Sequence, residues 1–460
     1  MNKRVIFWSI TVALGGFLFG FDTAVISGAE QSIQKLWSLS DGMHGLAVAI
    51  ALYGTVLGAF FGGVPADRYG RKKTLFGVGV LYLVSALGSA MAPEVFSFMF
   101  FRFLGGIGVG ASSVAAPMYI SEISPTDKRG RLTALFQFNI VTGILCAYMS
   151  NYLLTGIGGT AWRWMLGVEA LPALAFTLMV LAVPRSPRWL YSKLGDAAAA
   201  REVLELIDPS TAEAELEAIK KQKAEEAGCT GKFFSRRYSF SISLAVILAI
   251  FNQVSGINAI IYYAPRIFEM TGLGASAALM SSAGVGLVNL LATVAAIAVI
   301  DRFGRRSLML VGSVGLITSL ALVARAFYLN SFAGVPILIF LFIASFAVSQ
   351  GCVLWVYLSE IFPSQVRANG QSLGSFTHWI CAALVANFFP VAAGAVGPAA
   401  VFGFFATAMV AQLIYVTLVM PETSGVSLEE LQARLAVEDA PAAGFNPARY
   451  VLKPARQLNS

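Results

Sequence analysis

Twelve long apolar stretches divide this sequence, at about 6–28, 45–66, 74–93, 95–121, 132–154, 163–183, 241–268, 276–300, 307–329, 335–361, 368–390 and 398–420. About 20 apolar residues in a helix cross the hydrocarbon core of a bilayer. Inside that core only helices or closed barrels satisfy every backbone N–H and C=O, and segments of this length select the helix. The expected fold is an all-α membrane protein of twelve transmembrane helices. Only 12% of the 460 residues are charged, where soluble domains carry about 25%. The net charge of +7 does not point to nucleic acid, because the basic residues gather beside the ends of apolar stretches. The lipid bilayer is the expected partner.

The placement of those basic residues sets an orientation. Arg68, Arg71, Lys72 and Lys73 follow the second stretch, Lys128, Arg129 and Arg131 the fourth, Arg302, Arg305 and Arg306 the eighth, and Arg367 the tenth. The alternate loops hold almost none. The positive-inside rule puts the basic loops and both termini in the cytoplasm of a multi-pass protein of the plasma or bacterial inner membrane. Lys3 and Arg4 precede a stretch too long for a signal-peptide core and without a cleavage signature, so the first helix is expected to be retained. Cys146, Cys352 and Cys381 fall in apolar stretches and Cys229 in a polar loop, which suggests no disulfide framework. The one long polar insert, 186–238, places Leu204, Ile207, Leu216 and Ile219 on helical faces, and short amphipathic cytoplasmic helices are expected there.

The sequence repeats itself. Asp67-Arg68-Tyr69-Gly70-Arg71 recurs 234 residues later as Asp301-Arg302-Phe303-Gly304-Arg305. Ser121-Glu122-Ile123, Pro125 and Arg129 recur 238 residues later as Ser359-Glu360-Ile361, Pro363 and Arg367, and Pro184 matches Pro421. Two six-helix halves, 1–185 and 239–431, are expected, joined by the cytoplasmic linker helices of 186–238 and followed by a cytoplasmic tail, 432–460. Such duplications typify transporters that rock one half against the other around a site near the midplane.

Polar groups inside the spans mark where such a site would lie. The seventh stretch reads Phe-Asn-Gln-Val-Ser-Gly-Ile-Asn from Phe251, with Asn252, Gln253 and Asn258 in its interior. Buried amides without partners are costly, so they are expected to face a protein-lined or watery cavity. Gly256 allows the helix to break beside a ligand. Amides donate and accept, which suits a neutral polyhydroxylated ligand better than an ion. The plainer alternative is that they hold helices together. Asp22 stands alone in the middle of the first span, where a carboxylate is functional by default. Arg102 opens the fourth span and is in reach of it. An arginine favours the charged carboxylate and desolvation the neutral one, so the pair can switch; a static ion pair is the alternative.

The motifs, taken as a set, resemble the sugar porter family of the major facilitator superfamily. They are GGFLFGFDTAVISG in the first span, the two Asp-Arg-x-Gly-Arg loops, RFLGGIGVG from Arg102, PMYISEISP from Pro117, WRWM from Trp162, PRSPRWL from Pro184, the seventh-span stretch, SEIFP from Ser359 and PETSGVSLEE from Pro421. The resemblance implies sugar contacts at Gln137, Gln253, Asn258, Asn289, Trp355 and Trp379. The indoles would cover the apolar face of a pyranose ring. Asn252 stands where most relatives have glutamine, His378 where they often have Asn or Gln, and Cys352 where many have proline; Asn252 and His378 are expected in or beside the pocket. Proton coupling is implied at Asp22 and Arg102 with help from Glu169. Cytoplasmic gating networks are implied at Asp67, Arg71, Glu122 and Arg129, and at Asp301, Arg305, Glu360 and Arg367. Arg185 replaces the glutamate usual in the Pro-Glu-Ser-Pro-Arg motif, a member of the cytoplasmic charge network in relatives, so one link there is expected to be altered. The expected activity is proton-coupled symport by a monomer of a monosaccharide, a hexose such as glucose foremost. A sugar uniporter or a non-transporting sugar sensor are the alternatives. The chain offers no nucleophile with a base and only two histidines, His44 and His378, so no enzyme, metal or cofactor is expected.

Overall fold

The structure is a computed structural model and describes residues 3–124, 129–226, 233–363, 366–425, 431 and 435. Pro125, Lys128, Cys229, residues 426–430 of the PETSGVSLEE motif and the expected tail apart from Leu435 lie outside the described residues. Among the described residues there is no strand, and twelve helices are long and apolar enough to cross a membrane. In order they are Arg4–Leu36, Asp41–Phe61, Arg71–Met91, Val95–Ile123, Ala134–Ile157, Ala161–Leu181, Arg236–Glu269, Ala275–Phe303, Arg305–Tyr328, Val335–Glu360, Arg367–Val396 and Pro398–Leu418, called spans one to twelve below. Each overlaps its expected stretch. The first runs on to Leu36 because Glu30, Gln31 and Gln34 find polar partners and need not end the helix. Large apolar side chains such as Leu171, Val311 and Ile337 point outward, as expected where lipid replaces water.

The chain divides into two compact units. The first comprises Met1–Cys229, Asn258–Leu290 and Trp379–Gly397, the second Thr230–Ile257, Leu291–His378 and Pro398–Ser460. In the first unit the glycines of span four let helices touch: a Cβ on Gly106 would sit 1.9 Å from the carbonyl oxygen of Ala51 in span two. Close backbone approach of this kind supplies the van der Waals contact that packs helices in lipid. The described residues of the polar insert include three short α-helices, Pro187–Leu194, Ala197–Ile207 and Ala212–Glu226. Ser186 caps the first by accepting from the Trp189 N–H, and Asp196 caps the second by accepting from the Ala199 N–H. Leu204, Ile207, Leu216 and Ile219 are buried, so the expected apolar faces are in place.

The second unit packs around Leu244, Tyr357, Leu358 and Phe362. Two of its helices are interrupted. Span seven stops at Val254 and restarts at Ile257, with Gly256 at φ +85° between them. A side chain there would be strained, and its Cβ would lie 2.5 Å from the ring of Phe405. Span ten carries a π-helical turn at Ala347–Gly351, between Val335–Phe346 and Cys352–Glu360. Such turns recur at functional sites.

Candidate functional site

Four of the expected ligand residues come together in the second unit. Asn252 and Gln253 end the first half of span seven and are almost wholly buried. Asn252 Nδ2 donates to the carbonyl of Gln350, in the π turn of span ten, at 3.1 Å. Gln253 Nε2 donates to Asn252 Oδ1 at 2.9 Å and lies 3.1–3.2 Å from the two ring nitrogens of His378 in span eleven. The His378 ring in turn packs against Trp355, with centroids 4.9 Å apart. Trp355 is 37% exposed. The cluster sets amide donors and acceptors beside a partly exposed indole, groups able to hydrogen-bond hydroxyls and to cover C–H surface respectively.

The remaining expected residues lie in the first unit. Asn258 and Asn289 are buried in spans seven and eight, Gln137 is half-buried in span five, and Trp379 packs against Phe19 with centroids 5.5 Å apart. Asp22 and Arg102 meet. Arg102 Nη1 donates to Asp22 Oδ1, and Nη2 donates to the Asp22 carbonyl at 3.1 Å. Both side chains are buried. Glu169 is buried as well and stands at a break in span six, between Ala161–Gly167 and Ala170–Leu181. Among the described residues its Oε1 and the Nε of Arg102 have no hydrogen-bond partner, a costly arrangement for buried polar atoms.

The duplicated loops build two matching charge networks. In the first unit Arg71 donates to Asp67 at 3.1 Å and reaches Glu122 at 2.9 Å. In the second Arg305 reaches Asp301 at 3.0 Å and Glu360 at 2.9 Å. Arg367 donates instead to the Phe362 carbonyl at 3.2 Å; the side chain of Arg129 is outside the described residues. One difference between the networks concerns Glu422. Glu422 accepts from the backbone N–H groups of Arg305 and Arg306, at 2.8 and 3.0 Å, and so caps span nine. Arg185 stands at the matching place of the first repeat, and a guanidinium, which has no acceptor, cannot cap span three in this way.

Two features escaped sequence reasoning. One is Glu422, which lies in a quoted motif but was given no role. The other is a buried cluster in the first unit. Arg266 of span seven donates to both carboxylate oxygens of Glu30 in span one, at 3.0 and 2.8 Å, and His44 Nε2 of span two lies 2.8 Å from the same carboxylate. A signal existed. Glu30 and Arg266 are 236 residues apart, close to the repeat offset, and Arg266 falls inside the seventh apolar stretch while Glu30 stands two residues past the end of the first.

The sequence matches the family described as "Sugar (and other) transporter" over residues 8–435. It is 36% identical over 438 residues to the arabinose-proton symporter of Bacillus subtilis, covering 93% of this chain and 94% of that one. It is 37% identical over 431 residues to a D-xylose transporter of Levilactobacillus brevis, covering 92% and 94%. The fold is similar to that of the E. coli xylose transporter XylE in a partially occluded inward-open conformation, with a TM-score of 0.83 and 32% identity over 93% of this chain and 100% of that one.

Proposed function

We propose, because the chain belongs to the sugar transporter family of the major facilitator superfamily, that it is a monomeric symporter carrying a monosaccharide and a proton by alternating access. The observation that carries this reading is the buried Asp22–Arg102 pair. A uniporter has no use for a titratable carboxylate at that depth, where ionisable groups are expensive and mark proton or ion paths. Asn252, Gln253, Trp355 and His378, with Gln137, Asn258, Asn289 and Trp379, are the sugar-binding residues of this reading. Glu169 assists proton transfer. The relatives transport arabinose and xylose, so pentoses stand beside glucose as candidate substrates. A pocket built on hydroxyl contacts separates them by a few contacts at most.

Uptake of labelled D-glucose, D-xylose and L-arabinose into proteoliposomes, with and without an imposed inward proton gradient, tests the reading. At least one sugar is expected to accumulate above its external concentration only when the gradient is present. Uptake that merely equilibrates, gradient or not, would make the protein a uniporter.

In the same reading the two cytoplasmic networks latch the outward-facing state, and the termini are cytoplasmic. Glu360 holds both Arg305 and the hydroxyl of Thr423, so Glu360→Gln loosens the second network at its centre. The expected result is a population shift toward inward-facing conformations, read as increased cytoplasmic accessibility of cysteines placed along the transport path. Unchanged accessibility would leave the charges with a topological role alone.

A further inference from the structure

Gln350 and Gln412 belong to no motif singled out above, yet both are completely buried among apolar side chains of the second unit. Together with Ser313 they form a continuous series of hydrogen bonds leading to span seven. The Ser313 hydroxyl donates to the Met309 carbonyl at 2.7 Å and accepts from Gln412 Nε2 at 2.9 Å. Gln412 Oε1 accepts from Gln350 Nε2 at 2.8 Å. The Gln350 carbonyl accepts from Asn252, and Asn252 Oδ1 accepts from Gln253. Gln350, Gln412 and Ser313 donate one to the next through their side chains, an order in which each bond polarises the next, and the bonds from Gln253 and Asn252 meet this run at the backbone of Gln350. An amide has one donor end and one acceptor end, so committing one end fixes how the other faces.

The starting point of this series is the π turn. Span ten is interrupted at Ala347–Gly351, while position 352, where a proline ring could enforce a break, is cysteine. The side chain of Gln350 ties the turn to span twelve through Gln412, and its backbone carbonyl accepts from Asn252.

We propose that Gln350, Gln412 and Ser313 are positioning residues for sugar binding: they fix the π turn of span ten, which orients Asn252 and through it the amide of Gln253. This rests on the sugar-site reading of Gln253. The competing role is helix-to-helix glue, which buried amides also serve in membranes. Glue predicts lost stability without a change in affinity that depends on Gln253.

Sugar affinity is measured by calorimetry on the full-length protein in detergent, using whichever of D-glucose, D-xylose and L-arabinose binds best, alongside thermal unfolding. Gln412→Leu is expected to weaken binding about fivefold or more, and to add nothing in a Gln253→Ala background, since coupled residues are non-additive. Because Gln412→Leu strands Gln350, the double variant Gln350→Met/Gln412→Leu removes both partners, a change that can be nearly neutral for folding. It is expected to unfold as the wild type does and still bind weakly. Native affinity in the double variant, or an equal loss from Gln412→Leu with and without Gln253, overturns the proposal. If Gln253→Ala alone binds normally, it is the sugar-site reading that falls, and the relay loses its object with it.

Discussion

Replacing Asp22 by Asn is expected to abolish proton-driven accumulation of sugar while leaving sugar binding, and exchange of internal for external sugar, intact. Asparagine keeps the shape of the side chain and can still accept from Arg102, but it cannot take up or release a proton. The Arg102 guanidinium, buried and bonded to Asp22 through both Nη atoms, then stays in one electrostatic state throughout the cycle. Without a protonation change, movement of sugar is no longer linked to movement of protons, and a gradient has nothing to act on. The amides around Gln253 are untouched, so affinity is retained. The measurements are paired: accumulation in proteoliposomes under an imposed gradient, and calorimetric affinity, in both proteins. An Asn variant that concentrates sugar to the native level removes Asp22 from the coupling mechanism.

Truncating Glu30 to Ala is expected to be among the most destabilising single changes in the chain. The carboxylate is fully buried and is shared by Arg266, through two bonds, and by His44. Removing one partner of a buried ion pair costs about 3–5 kcal/mol, because the other charge is left uncompensated. Arg266 retains some exposure and its bond to Gln34, which places the cost toward the low end, about 3 kcal/mol. Glu30→Gln, which keeps an acceptor oxygen, should lose less. Thermal unfolding in detergent checks this, with a fall of several degrees expected for Ala and a smaller one for Gln. Equal melting of Ala and wild type would show that the cluster contributes nothing measurable to stability.

The architecture was legible because lipid imposes a simple rule: a long apolar segment must be a helix. Every expected span is present, and the break at Gly256 lies where glycine among amides suggested it. The Asp22–Arg102 contact was legible because a lone carboxylate in an apolar span demands a partner, and few charges are available. Glu30 was less visible because it stands two residues past the end of the expected first span, in a sequence that reads as a loop. Arg266 sits near the end of its own expected span and passes for an interfacial charge. The Gln350–Gln412 bond joins residues 62 apart with no periodic signal connecting them. Neither does the π turn announce itself, since Ala347–Gly351 contains no proline.

The positive φ of Gly256 has a bearing on how such a protein diversifies. The interruption of span seven is set by the backbone of one residue that carries no side chain, whereas the chemistry beside it is carried by Asn252 and Gln253. Geometry and ligand preference are thus encoded at separate codons. If the proposed sugar contacts hold, exchange of one amide for another at 252 or 253 changes which hydroxyl patterns are favoured without moving the break at Gly256. Under that reading a lineage drifts from one sugar to another in single steps so long as 256 remains glycine.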